Sequence, residues 1–99
     1  MKERNRFSSL LKHLMTVAKL KNYTLAKELQ YDESYISKWV TGVSLPTEKN
    51  YEKVLQGIAR CIVETSDEDS IRSLKEELEL ETDDDLERAM YYNLEAEYL

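Results

Sequence analysis

The sequence predicts an all-α protein: a domain of four to five helices over residues 1–64, followed by an acidic helical extension over 65–99. Three observations predict it. Of 99 residues only two are Gly and one is Pro, while Leu, Lys, Glu and Ala recur throughout. That composition favours helix over strand. Apolar residues return every three to four positions, the period of a helix with one buried face. Charge divides the chain. Residues 1–60 carry eleven Lys/Arg and six Asp/Glu, a balance of +5. Residues 61–99 carry three and fourteen, a balance of −11, and the two make the net −6. The first part suits approach to a polyanion and the second is repelled by one.

The opening "MKERNR" is polar and reads as a frayed start or a basic arm. From 6 to 20, Phe7, Leu10, Leu11, Leu14, Val17 and Ala18 mark a first helix. Asn22 is expected to cap a second, over 23–29, with Leu25, Ala26 and Leu29 as its core face. Asp32 caps a third, over 33–41, and Gly42 stands where a left-handed residue ends a helix. Pro46 is suited to starting a helix, so a fourth is expected over 47–63, with Tyr51, Val54, Leu55, Ile58 and Ile62 along one side. "ETSDEDS" (64–70) reads as a linker. Ile71, Leu74 and Leu78 mark another short helix. Thr82 with Asp85 resembles a capping box opening a last one, over 83–99. The apolar stripe of that last helix is Leu86, Ala89, Met90, Leu94 and Tyr98.

The third helix is the unusual one. At about 100° per residue, Glu33, Ser34, Ser37, Lys38 and Thr41 share one arc, while Ile36, Trp39 and Val40 share the other. Tyr35 lies on the border. A helix that only solvates itself carries long Glu and Lys side chains, often in i, i+4 pairs. This one carries short hydroxyls, which are poor helix formers. Short side chains let a helix come close to a surface, and hydroxyls donate and accept as base edges and phosphates require. A helix fits a major groove about 12 Å wide.

Here the chain resembles a family. "LAKELQYDESYISKWVTGVSLP" is similar to the helix-turn-helix of lambda-repressor-like (Cro/XRE-type) regulators. The matching positions are Leu25, Ala26, Leu29, Asp32, Ile36, Ser37, Gly42 and Pro46, and the likeness covers about 7–63. The resemblance implies sequence-specific binding of double-stranded DNA by a transcriptional regulator, most simply a repressor. It places base contacts on Glu33, Ser34, Ser37 and Lys38. It places DNA-backbone contacts on Lys21 and Asn22, and on Thr41, Gly42, Val43 and Ser44, the N–H of Gly42 being free for a phosphate. Tyr35 is expected to pack or to meet a phosphate. Two positions depart from the family pattern. Gln30 stands where Gly is usual, and a non-Gly residue in the left-handed region costs roughly 1–2 kcal/mol, so the turn is either strained or differently shaped. Glu33 has two readings: it accepts from cytosine N4, or it only favours the positive helix end and weakens DNA affinity.

Nothing in the sequence points to catalysis. His13 is the only histidine and is expected to be structural or solvent-facing; Cys61 is expected to be a small buried hydrophobe. No Cys/His cluster has zinc spacing, no Gly loop cradles a phosphate, and "TDDD" lacks calcium-loop spacing. An enzyme, a cofactor and a metal are therefore not expected. No apolar run approaches the roughly 20 residues of a membrane span, and the N-terminus lacks a secretory segment, so a cytoplasmic protein is expected. The C-terminal stripe of Leu86, Met90, Leu94 and Tyr98 is expected to pair two copies as a homodimer, the alternative being that it packs on its own domain. A rival function uses the same fold as a protein-interaction or antirepressor-like module acting through its acidic helices.

Overall fold

Six α-helices and no strand make up the described residues of the computed structural model, which are 2–81 and 85–99, with 2–5 described by backbone alone. They are α1 (Lys2–Ala18), α2 (Asn22–Leu29), α3 (Glu33–Thr41), α4 (Tyr51–Thr65), α5 (Glu68–Glu77) and α6 (Leu86–Tyr98). The all-α prediction holds, and the apolar period predicted the core faces. Phe7, Leu11 and Leu14 of α1, Leu25 of α2, Ile36 of α3, and Leu55, Ile58 and Ile62 of α4 are all buried. Each such side chain contributes roughly 1.5–3 kcal/mol.

Helix boundaries follow local chemistry, with four corrections. First, α1 starts at Lys2 rather than 6. It ends at Ala18 because Lys19 turns left-handed (φ 58°), and the N–H of Leu20 then closes on the Met15 carbonyl at 2.8 Å. Second, Asn22 is not a cap. Lys21 holds that position in an extended conformation with no side-chain bond, and Asn22 is the first helical residue. Third, α4 starts at Tyr51, not 47. Pro46 is buried in the preceding loop, and its carbonyl accepts from the Tyr98 hydroxyl at 2.6 Å instead of opening a helix. Fourth, only Ser66 and Asp67 separate α4 from α5, so most of the expected linker is helical. Asp67 caps α5, its Oδ1 accepting from the Ser70 N–H at 2.8 Å. The expected capping box at Thr82–Asp85 lies largely outside the described residues.

The acidic segment shares the core of the rest. Leu74, Leu86, Met90 and Leu94 belong to the same buried cluster as Phe7, Leu25 and Ile36. α5 packs on α1, and α6 packs on α1 and α4. Leu86, Met90 and Leu94 are at most 1% exposed within a single chain. The stripe expected to pair two copies is therefore covered by its own α1 and α4, and those three side chains are not available as a dimer seam. Tyr98, the fourth of that set, stacks on Tyr51 (centroids 4.7 Å) and meets the Phe7 ring edge-on at 5.8 Å. Cys61 is buried as expected. Burial, and then the nearby Glu28 and Glu64 charges, push its thiol up to about 11. No helix among the described residues is long and apolar enough to cross a membrane.

Candidate nucleic-acid interface

α3 is held by both of its ends and by one face. At its start, Asp32 is extended and its Oδ1 accepts from the Ser34 N–H at 2.9 Å. That backbone bond, with a further one from the Ser34 side chain, holds the Asp32 carboxyl below its ordinary value. Along the inner face Ile36 and Trp39 are buried, and Val40 is half-buried against the core. Tyr31 sets its ring against Trp39 (5.3 Å) and Tyr35 (5.5 Å), both edge-on. At its end Gly42 turns left-handed (φ 83°).

The turn into α3 keeps a left-handed residue without Gly. Gln30 sits at φ 62°, ψ 41°, and the N–H of Tyr31 closes on the Ala26 carbonyl at 2.9 Å. Of the two outcomes expected for Gln30, strain is the one realised. Ala26 is buried on α2, which packs on α3 and α4. On the other side of α2, Gly57 of α4 admits Leu29; a Cβ on Gly57 would collide with the Leu29 side chain.

With its inner face fixed, α3 turns Glu33, Ser34, Ser37 and Lys38 together toward solvent. Thr41 lies on the same exposed side, but its hydroxyl donates to the Ser37 carbonyl at 2.9 Å. The N–H of Gly42 was expected to be free and is not. It donates to the Lys38 carbonyl, as do those of Val43 (3.0 Å) and Ser44 (3.4 Å). A left-handed cap folds the chain back over the last turn, and that movement satisfies these donors. An anion at this end would meet side chains, not a vacant amide. Tyr35 is about half-exposed and Val43 exposed, so the polar face has an apolar fringe.

Lys21 is exposed and Asn22 half-buried at the start of α2. They line one groove with Lys12 and Thr16 from α1 and with Lys19 just past its end, over a floor that includes Met15, Leu20 and Val40. Lys12 and Lys19 were not singled out in the sequence. No helical period groups them, because Lys19 lies past the end of α1 in a left-handed turn. His13 lies outside this groove, its Nε2 against the Glu77 carboxylate at 2.6 and 2.8 Å. No family model matches the chain, and neither a curated protein nor a solved structure matches it significantly.

Proposed function

We propose that the chain is a lambda-repressor-like helix-turn-helix regulator that binds double-stranded DNA sequence-specifically, as a repressor, with α3 in the major groove. One observation carries this reading: α3 is anchored by Ile36 and Trp39 while a continuous low face of Glu33, Ser34, Ser37 and Lys38 is left exposed. The lysine-lined groove at the start of α2 supports it, because phosphate contacts fix register while side chains on base edges supply sequence. Lys38 donates to guanine, the serines meet base edges or phosphates, and Glu33 accepts from cytosine N4. The role is one of binding, not catalysis, in the cytoplasm.

Pairing of two copies belongs to the same reading. Two α3 helices on a near-palindromic site stand about 34–36 Å apart. With Leu86, Met90 and Leu94 buried, the pairing surface has to be another one; Tyr92 and Leu99 are the large apolar side chains exposed toward the C-terminus. A measurement of solution mass tests this.

The decisive experiment is selection from a random duplex pool at low salt, followed by titration across salt. Enrichment of one sequence is expected, with affinity falling steeply as salt rises. Lys38→Ala should flatten preference at one base pair by about 1–3 kcal/mol, and Lys21→Ala should weaken all duplexes alike. An unenriched pool would reject the reading. It would leave the protein-interaction module, favoured by the exposed Glu33 carboxylate at the leading end of α3.

A further inference from the structure

Three ion pairs join α1, or the turn just past its end, to the acidic half. Arg6 Nε meets Glu97 of α6 at 2.7 Å, His13 Nε2 meets Glu77 of α5 at 2.6 Å, and Lys19 Nζ meets Asp67 at 3.7 Å. The third differs from the others in two ways. It is the longest, and its lysine also lines the basic groove. Among the described residues, Lys12 and Lys21 of that groove meet no carboxylate within ion-pair distance. One of the three groove lysines is thus already occupied by a charge from the same chain.

Asp67 is held there by the fold. Its Oδ1 caps α5 through the Ser70 N–H, which leaves Oδ2 for Lys19. Ser70 is buried, and its hydroxyl donates to the Val17 carbonyl at 2.9 Å, tying the first turn of α5 to the last turn of α1. Lys19 is fixed from its own side by the left-handed turn that ends α1. The carboxylate therefore stands beside Lys19, 3.7 Å from its Nζ, although Asp67 does not itself line the groove.

We propose that Asp67 is an internal competitor for a nucleic-acid phosphate at Lys19, so that the acidic half attenuates the affinity of the basic groove. This rests on the DNA-binding reading. The physical consequence is specific. A lysine that stays on its own carboxylate neutralises no phosphate and displaces no condensed counterion from the DNA, whereas a lysine that reaches a phosphate displaces nearly one. Lys12 and Lys21 count fully in the salt dependence, and Lys19 counts only once Asp67 is neutralised.

The test uses the full chain and two DNA duplexes, one selected and one of random sequence, titrated across salt. Asp67→Asn keeps an acceptor for the α5 cap and removes the charge. It should tighten binding at low salt by about two- to fivefold, the range of an exposed ion pair, and steepen the log–log salt slope by about 0.9, alike on both duplexes. In a Lys19→Gln background the same substitution should do neither, and that coupling identifies the pair. Asp69→Asn removes an equal charge two residues away, from a carboxylate that faces Arg72, and should leave the slope unchanged. If duplexes bind and Asp67→Asn leaves slope and affinity alone, the competition is refuted and the DNA reading stands. An equal gain from Asp69→Asn, or an undiminished one without Lys19, also refutes it, leaving only a diffuse field. If no variant binds any duplex at low salt, both fall together. A thermal melt of each variant confirms that it is folded.

Discussion

Replacing Leu94 by alanine should destabilise the chain by about 3–4 kcal/mol, and by the same amount at every protein concentration. Leu94 is fully buried on α6, and α6 packs on α1 and α4 of its own chain. The substitution removes three carbons. At about 0.8 kcal/mol per buried methylene, lost transfer alone is ~2.4 kcal/mol. The void adds to that, since the flanking helices are pinned by Met90 and Leu86, both buried, and do not collapse fully; Leu→Ala changes in cores cost about 2–5 kcal/mol. Against a total of roughly 5–15 kcal/mol for a domain, this is a large fraction. Urea unfolding followed by far-ultraviolet circular dichroism measures it. With a slope near 2 kcal/mol/M, the midpoint should fall by roughly 1.5–2 M, with the slope unchanged. Repeating both titrations at tenfold dilution should leave the difference between variant and parent unchanged. A loss below about 1 kcal/mol would refute the packing described above, and a variant whose solution mass halves while the parent's does not would place Leu94 at a seam between copies.

Two other perturbations probe the elements that hold α3. Gln30→Gly should stabilise the protein by about 0.5–1 kcal/mol, because Gln30 is left-handed and Gly relieves that strain while giving back part of the gain as unfolded-chain entropy; a destabilised variant in the same urea titration would mean that the Gln30 side chain makes a compensating contact. Asp32 has its folded-state carboxyl lowered by the Ser34 N–H, so the stability it lends is present above its ordinary value of 3.8 and is lost as pH falls through the lower folded value. Asp32→Asn should therefore lower stability across pH 5–8 and make the acid limb of a stability-against-pH curve shallower, so that variant and parent converge as pH falls, and an unaltered acid limb would count against the cap as the cause.

What the sequence made legible was local. Asp32 and Gly42 delimit α3 because one supplies a cap acceptor and the other tolerates a left-handed backbone, and both facts reside in single residues. The exposed and buried arcs of α3 follow from its period alone. What stayed hidden depended on partners distant in the chain. Pro46 looked like a helix start, but its carbonyl is claimed by Tyr98, 52 positions on. The stripe of Leu86, Met90 and Leu94 announces that a face is buried, but an amphipathic pattern cannot say whether the covering surface belongs to the same chain. The Gly42 amide looked vacant because Gly was correctly placed, although the turn it permits is what fills the amide. Lys12 and Lys19 escaped notice because their grouping with Lys21 depends on how α1 ends at a left-handed Lys19 and α2 begins nearby.

The acidic half is thus a structural support as well as a charge. Tyr98 stacks on Tyr51 at the start of α4, touches Phe7 of α1 and bonds the carbonyl of Pro46 in the loop that leaves α3. One side chain of α6 thereby joins α1, α4 and the α3–α4 loop, and that loop fixes where the C-terminal end of α3 emerges. Removing the acidic segment would remove Leu86, Met90 and Leu94 from the core. The proposed attenuation needs no such loss, because it rests on one carboxylate, Asp67, that the fold sets against a groove lysine and that can be neutralised with the core left in place.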